Sequence, residues 1–304
     1  MIVVAGEALI DLVVDHDGDT SETPGGSPLN VAVGLARLEV PATLISQVGH
    51  DEHGEMVVQH VEASGATMIA VPTSTGRTSV ATARLDATGA AQYEFDLDWS
   101  LPRQELPPCH ALHVGSLGTL LEPGRDSVRD LVEQACARDL VVTYDANLRD
   151  SFVEDRDLTW AAVRDLGARC TLVKLSDEDA DLLRPGVDPG EVARTLAEGE
   201  RTRLVLLTRG SEGATAYAEG VEVGVEPRPV QVVDTVGAGD AFMAGTLAQL
   251  SDLDAFASPG PGIPLDRDSL ERLIAGAVEI AAITCERRGA NPPRRQELPA
   301  GWPA

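Results

Sequence analysis

The sequence has little positive charge, few aromatic residues and no long apolar run. Its 304 residues contain 24 Lys or Arg against 49 Asp or Glu, for a formal net charge of −25, and Lys174 is the single lysine. A field this negative repels phosphate backbones and anionic lipid headgroups, and no basic patch offsets it. No apolar run approaches the roughly 18 residues of a membrane span. We therefore expect neither a nucleic acid nor a membrane as partner.

Cysteines are also few, and they are far apart. They are Cys109, Cys136, Cys170 and Cys285. Because none stands in C-x-x-C spacing, neither a zinc site nor a small disulfide scaffold is indicated, and reduced thiols are expected. The apolar stretch at the N-terminus is interrupted by Glu7 and Asp11, and no basic residue precedes Arg37, so a signal peptide is not indicated. We expect a cytoplasmic protein.

What the sequence does contain is an alternation of short β-branched runs with longer amphipathic ones. Hydrophobic residues make up 43% of the chain and are spread along it, which excludes general disorder. Strands are expected at Ile2–Ala5, Thr43–Val48, Ala111–Val114, Leu140–Asp145, Thr171–Leu175 and Leu204–Thr208. Helices are expected at Pro28–Leu38, Glu52–Ala63, Gly124–Ala137, Leu158–Ala168 and Asp188–Glu198. This order predicts a mostly parallel sheet with helices on both faces, in a single domain over residues 1–304.

One segment departs from this alternation. Residues Thr78–Leu97 alternate with period two around the turn-forming residues 86–89, which predicts a β-hairpin. An antiparallel hairpin within a parallel α/β chain serves as a lid, as a dimer contact or as surface decoration. We expect the insertion to span about residues 72–98, with residues 11–24 as a further contribution.

The strongest chemical motif is the run Asp234-Thr-Val-Gly-Ala-Gly-Asp240-Ala-Phe242, which leads directly into an amphipathic helix. Glycines flanking a small residue before a helix let consecutive backbone N–H groups point into one concavity, where the helix dipole adds positive charge. This pattern predicts an anion cradle. At its rim the Asp240 carboxylate can accept the proton of a hydroxyl that approaches the bound anion, although an aspartate here can also simply cap the helix.

This run resembles the C-terminal signature D-T-x-G-A-G-D-x-F of the ribokinase-like, or PfkB, sugar kinases. The resemblance implies a three-layer α/β/α sandwich with a small β-hairpin lid. It also implies that Asp240 is the catalytic base and that the N–H groups of Gly237, Ala238 and Gly239 stabilise the transferred phosphoryl group. No G-x-G-x-x-G follows the first strand and no G-K-[ST] occurs, so neither a Rossmann fingerprint nor a Walker P-loop is present.

A second match lies near the N-terminus, where Gly25, Gly26 and Asn30 correspond to the G-G-x-x-x-N element of the family. Two glycines allow close approach of a ligand, and the Asn30 amide can both donate to and accept from a hydroxyl. Asp11 is expected to accept hydrogen bonds from neighbouring sugar hydroxyls. Ser27 is expected to cap the first helix, with Pro28 in its first turn.

Further elements of the family occur in the second half of the chain. Asp145-Ala-Asn-Leu-Arg149 resembles the D-x-N-x-R element of fructokinases and ketodeoxygluconate kinases, which places Arg149 on the sugar side. The turn from Thr208 through Gly210 to Gly213 resembles the family's nucleotide-binding turn T-x-G-x-x-G. Three positions depart from the family. Ser176 and Asp179 stand where N-x-x-E is frequent, with Glu178 as an alternative to Asp179 near Mg²⁺, and Glu39 stands where glycine is frequent.

Together these matches imply an ATP-dependent sugar kinase that uses Mg²⁺ and phosphorylates a primary hydroxyl. A monovalent cation such as K⁺ is expected beside Asp234 and the Val236 carbonyl. Fructose is the preferred substrate, because D-x-N-x-R and the hairpin residues around Tyr93 resemble fructokinases. The alternatives are 2-keto-3-deoxygluconate, an acid sugar for which Arg149 would bind the carboxylate, and a non-catalytic sugar-binding or regulatory protein on the same fold. A homodimer through the lid is also expected.

Overall fold

A large central sheet organises the chain. The computed structural model describes residues 1–85, 91–256, 263 and 266–302, and for Ala91 and Tyr93 it describes the backbone alone. In chain order the strands of this sheet are β1 (Ile2–Ala5), β4 (Ala42–Val48), β5 (Thr67–Pro72), β8 (Ala111–Gly115), β9 (Val141–Asp145), β10 (Leu172–Ser176), β11 (Leu204–Thr208), β12 (Ala214–Ala218) and β13 (Val221–Val225). Their spatial order is β13-β12-β11-β10-β9-β8-β1-β4-β5. Every pair from β11 to β5 is parallel, and β12 and β13 extend the sheet antiparallel.

Helices cover both faces of this sheet. They are α1 (Ser27–Arg37), α2 (Glu52–Ser64), α3 (Gly124–Ala137), α4 (Arg156–Gly167), α5 (Asp177–Leu183), α6 (Pro189–Ala197), α7 (Ala238–Asp252) and α8 (Arg267–Cys285). Two separate apolar clusters fill the layers, one against α1, α2, α7 and α8 and the other against α3 to α6. The predicted three-layer α/β/α architecture is confirmed, and the strands and helices predicted above agree with the observed bounds to within two residues. The part of the chain that the structure describes holds no helix long and apolar enough to cross a membrane.

The predicted hairpin belongs to a second, four-stranded sheet. Its strands are β2 (Leu9–Val14), β3 (Thr20–Gly25), β6 (Val80–Leu85) and β7 (Ala91–Asp96), in the order β3-β2-β6-β7. The hairpin strands β6 and β7 pair antiparallel, and β6 lies parallel to β2. Both segments that were expected to contribute to the insertion therefore contribute strands. The tip of the hairpin, residues 86–90, falls outside the described residues.

The beginning and the end of α1 differ from the sequence expectations. The N-cap residue is Gly26, with φ of 105°, and no side chain caps the helix, so the prediction that Ser27 caps it is wrong. Ser27 is instead the first helical residue, and its hydroxyl donates to the Asp240 carboxylate rather than capping α1. At the other end Glu39 has φ of 64°, in the left-handed region that glycine adopts at little cost, which explains why glycine is frequent there in the family.

The order of the strands determines where ligands can bind. From β1 the chain proceeds to β4 and β5 on one side and returns to β8 on the other side. In open α/β sheets such a reversal leaves a crevice outside the carboxyl ends of the two strands, where ligands bind. The loop after β9, which carries Asn147 and Arg149, ends at this edge, and Ser176 and Thr208 end the neighbouring parallel strands β10 and β11 there.

Candidate active site

The predicted anion cradle lies at the start of α7. The N-cap residue Gly237 has φ of 76°, and a methyl group on it would lie 2.5 Å from the Ala290 Cβ, so glycine is needed here for both conformation and space. The first turn of a helix leaves its N–H groups without intrahelical acceptors, and the dipole makes this end positive. Of the three predicted donors, the Ala238 N–H bonds the Thr235 carbonyl at 3.2 Å, within the loop. The Ala238 N–H, one of the three predicted donors, is therefore already paired in this structure.

Asp240 lies in this first turn, and its carboxylate is the meeting point of three distant segments. The side chain is 6% exposed. Its Oδ1 accepts hydrogen bonds from the Ser27 hydroxyl at 2.6 Å and from Asn147 Nδ2 at 3.2 Å. Its Oδ2 accepts a bond from Asn30 Nδ2 at 2.8 Å. Asp240 therefore does not cap its own helix, since Gly237 holds the N-cap position and no side chain caps α7. A carboxylate held in this way beside an anion cradle can take the proton of an attacking hydroxyl.

Two of these partners were not predicted as site residues. Ser27 was interpreted as a cap, and Asn147 was noted only as the central residue of D-x-N-x-R. Asn147 has φ of 35°, a left-handed conformation that asparagine tolerates better than most residues. That conformation directs the chain away from β9 and accompanies the contact of the Asn147 amide with Asp240. In the sequence, the signal for a role of Asn147 was its place as the third residue of the D-x-N-x-R pattern.

A second group of charges surrounds the expected sugar position. Burial raises the pKa of Asp11 to about 6, although the Arg149 guanidinium lowers it and Asp240 raises it further. Burial likewise raises the pKa of Glu7 to about 7, against the opposing effect of hydrogen bonds and of Arg149. Glu7 is 6% exposed, and its Oε2 accepts the Gly118 N–H at 2.7 Å. Sequence reasoning did not assign Glu7 a role, and its position directly after β1 was the available signal.

The paired glycines of the N-terminal element make room for the Asp11 carboxyl group and for the Glu7 backbone rather than directly for a ligand. A methyl group on Gly25 would lie 2.0 Å from Asp11 Oδ2, and one on Gly26 would lie 2.7 Å from the Glu7 carbonyl oxygen. Gly26 also has φ of 105°. Both positions therefore require glycine because protein atoms approach so closely.

Arg149 is exposed at the same edge of the sheet. Its Nη1 donates to Asn147 Oδ1 at 3.1 Å and to the Leu148 carbonyl at 3.3 Å. The guanidinium is therefore held against the segment that contacts Asp240. Tyr93 was also predicted on the sugar side. Its backbone pairs with Ala83 in the second sheet, and its side chain lies outside the described part of the structure.

The residues predicted for the nucleotide and Mg²⁺ follow β10 and β11. Ser176 caps α5 in a reciprocal capping box with Asp179. Asp179 is buried, with Oδ2 accepting the Ser176 N–H at 2.8 Å and Oδ1 accepting the Leu148 N–H at 2.7 Å. Glu178 is exposed beside it. Asp179 thus joins the loop after β9 to the loop after β10.

The turn after β11 and the segment before the cradle complete the site. Thr208 ends β11, and Gly210 and Gly213 have φ of 47° and 87°. Asp234 accepts the N–H of Val236 at 3.0 Å and that of Gly289 at 2.8 Å, and so holds the loop that enters α7. Across the described ranges no group of three or more His, Cys, Asp or Glu could by itself hold a metal ion.

Known proteins are similar to this chain over nearly its whole length. Residues 1–297 match the pfkB family of carbohydrate kinases. A fructokinase from Klebsiella pneumoniae is 33% identical over 303 residues, which cover 95% of this chain and 94% of that protein. A fructokinase from Salmonella typhimurium is 31% identical over 297 residues, 94% of each chain. The crystal structure of an uncharacterized sugar kinase from Pyrococcus horikoshii in complex with ATP has a TM-score of 0.82 and 26% identity, over 98% of this chain and 97% of that one.

Proposed function

This chain belongs to the pfkB family of carbohydrate kinases, and on that premise we propose that it transfers the γ-phosphate of ATP to a primary hydroxyl of fructose. It is an ATP-dependent sugar kinase. The observation that carries the proposal is the buried Asp240 carboxylate, which receives hydrogen bonds from two other segments of the chain at the start of the helix that forms the anion cradle. Base and cradle together are what phosphoryl transfer to a hydroxyl requires.

In this mechanism the sugar lies between the second sheet and the carboxyl ends of β1, β8 and β9. Asp11 and Asn30 bind its hydroxyl groups, and Asp240 accepts the proton of the hydroxyl that attacks. The backbone N–H groups of Gly237 and Gly239 stabilise the charge on the transferred phosphoryl group, where a donor aimed at developing charge contributes most. The second sheet acts as the lid that excludes water from the sugar.

The nucleotide lies along the turn from Thr208 to Gly213. Asp179 would hold Mg²⁺ through water, since each of its carboxylate oxygens already accepts one backbone N–H group. Mg²⁺ commonly keeps several waters and binds substrate phosphates, whose charge it neutralises. A K⁺ ion beside Asp234 and the Val236 carbonyl and a homodimer through the lid stay predictions.

The charges around Arg149 favour a neutral sugar over the acid sugar 2-keto-3-deoxygluconate. A substrate carboxylate needs a cation that is not already neutralised. The Arg149 guanidinium lies close enough to Asp11 and Glu7 to lower the pKa of both, so its charge is already shared with two acidic groups. A substrate carboxylate at this point would be repelled by the ionised forms of Asp11 and Glu7, whose pKa values of about 6 and about 7 are already raised by burial. Fructose carries no charge and meets no such repulsion.

The decisive experiment is a spectrophotometric ADP-release assay with ATP and Mg²⁺ over fructose, 2-keto-3-deoxygluconate, ribose, tagatose and nucleosides. We expect the highest kcat/KM with fructose. A preference for the acid sugar would show that Arg149 is available to a carboxylate and would overturn the substrate assignment. No sugar-dependent ADP release from any substrate, together with measurable sugar binding by calorimetry, would support the non-catalytic alternative.

A further inference from the structure

The only lysine of the chain lies directly beneath the anion cradle. Among 24 Lys and Arg residues, Lys174 alone is lysine. It is 3% exposed, and its Nζ lies 3.0 Å from Asp145 Oδ2. Lys174 and Asp145 are paired in register on the neighbouring strands β10 and β9. Both lie near the carboxyl ends of these strands, where the loops that carry site residues begin. A buried ammonium at this point is costly to desolvate, and its position therefore calls for an explanation beyond surface charge.

Gly239 leaves an opening between this ammonium and the cradle. Its backbone lies in α7 with no positive φ, so its conformation does not require glycine. A methyl group on Gly239 would have one non-neighbouring heavy atom within 4 Å, the Lys174 Nζ at 3.0 Å. Because position 239 has no side chain, no side-chain atom of α7 stands between the ammonium and the backbone of the first turn at this point.

The surrounding carboxylates keep Lys174 charged. Burial alone would lower the pKa of Lys174, but Asp145, Asp179 and Asp240 outweigh it and raise the pKa above its usual value. The bond to Asp145 uses one of the three N–H donors of the ammonium. The lysine ammonium is a compact point charge. The guanidinium group of arginine, which is the basic residue at all other such positions of the chain, is wide and planar.

We propose that the Lys174 ammonium, held by Asp145, donates a hydrogen bond through the opening at Gly239 to the phosphoryl group during its transfer. This inference rests on the proposed function, since it requires a phosphoryl group in the cradle. The sugar oxygen forms a bond to the γ-phosphorus, and the bond from that phosphorus to the β,γ-bridging oxygen breaks, so that ADP leaves. Asp240 takes the hydroxyl proton, and Lys174 keeps its three protons throughout. Lys174 is then a catalytic residue and Asp145 a positioning residue.

Gly239→Ala tests the opening without removing a buried charge. The methyl group would stand between the ammonium and the cradle, while alanine favours the helix more than glycine does. We expect kcat to fall at least tenfold at an unchanged melting temperature. Gly167→Ala is the matched control. Gly167 is the last residue of α4, and a methyl group there would make only ordinary contacts, at 3.5 Å with Val173 and at 3.7 Å with Leu196. It should leave kcat unchanged, and equal kcat in the two variants would overturn the proposal.

Lys174→Met and the double variant Lys174→Met with Asp145→Asn test the ammonium itself, the second without an unpaired buried carboxylate. We expect kcat to fall by about 10² to 10³, the usual loss for one transition-state donor, with sugar KM within about threefold. Affinity for ADP with Mg²⁺ and aluminium fluoride, which mimics the transferring group, should fall in parallel, while affinity for ADP alone should not. A purely structural lysine would lower both affinities equally.

The wild-type protein gives an independent test, because ¹⁵N-lysine labelling yields one side-chain ammonium resonance. We expect this resonance to shift when fructose, ADP, Mg²⁺ and aluminium fluoride are present together, and to stay in place with ADP and Mg²⁺ alone. An unchanged resonance in the complete mixture would overturn the inference. Failure of the proposed function has a different signature, since the wild type would then release no ADP with any sugar, and both proposals would be wrong.

Discussion

Replacing Asp240 by asparagine separates its chemical role from its structural one. Ser27 and Asn147 both donate to Oδ1, and Asn30 alone donates to Oδ2. An asparagine with its oxygen in the Oδ1 position keeps two of these bonds, and rotation of the Asn30 amide restores the third. What is lost is the charge and the ability to take a proton.

The structure sets the expected size of the change in kcat and of the change in stability. Without a proton acceptor, kcat should fall by roughly 10² to 10⁴. Losing the strength of one charge-assisted bond costs at most about 3 kcal/mol, and each kcal/mol corresponds to roughly 2–4 °C in a chain of this size. Removal of the repulsion between Asp240 and Asp11 offsets part of that cost. We therefore expect a melting temperature within about 10 °C of the wild type, and sugar and ATP binding within about tenfold.

The assay is ADP release for kcat, calorimetry for the two binding constants and thermal unfolding for stability. Asp155→Asn is the control, because Asp155 caps α4 through the N–H groups of Asp157 and Leu158 and lies outside the site. It should change only the melting temperature, and only slightly. A kcat near that of the wild type in Asp240→Asn would falsify the catalytic role and leave Asp240 as a structural link between α1, α7 and the segment after β9.

Three further predictions concern the surroundings of the site. Arg149→Ala should raise the sugar KM more than it changes ATP binding; weakened ATP binding at an unchanged sugar KM would contradict the sugar-side assignment, and a loss confined to acid sugars would favour ketodeoxygluconate. The pKa of Glu7 is raised from 4.5 to about 7 by burial, so its contribution to stability is full below pH 4.5 and is lost as pH rises through 7. Glu7→Gln should therefore reduce the difference in unfolding free energy between pH 4 and pH 8 by up to about 3 kcal/mol, measured by urea titration, and an identical pH dependence would show that Glu7 does not titrate in this range. Gly237→Ala should lower both kcat and melting temperature, because φ of 76° and the Ala290 Cβ at 2.5 Å leave no room for a methyl group, and normal values for both would contradict the geometry of the cradle.

The sequence by itself determined those features that depend on neighbouring residues. Apolar periodicity predicted the main strands and helices, because each amphipathic segment must bury one face wherever it packs. The cradle is a prediction of the same local kind, since it concerns consecutive residues from Asp234 to Asp240. The strand β3 was not recognised as such, because Thr-Ser-Glu-Thr-Pro-Gly has no apolar alternation and becomes a strand only by pairing with β2.

Only the tertiary structure decided which residues meet. Ser27 was interpreted as a helix cap from its local position, but the packing of α1 beside α7 directs its hydroxyl to Asp240, 213 residues further along the chain. Asn147 reaches the same carboxylate because β9 ends at the same edge of the sheet, and Lys174 lies under Gly239 because β10 adjoins β9. Contacts of this kind depend on strand order and on how the helices pack against the sheet, and residues far apart in a chain carry no local pattern that specifies them.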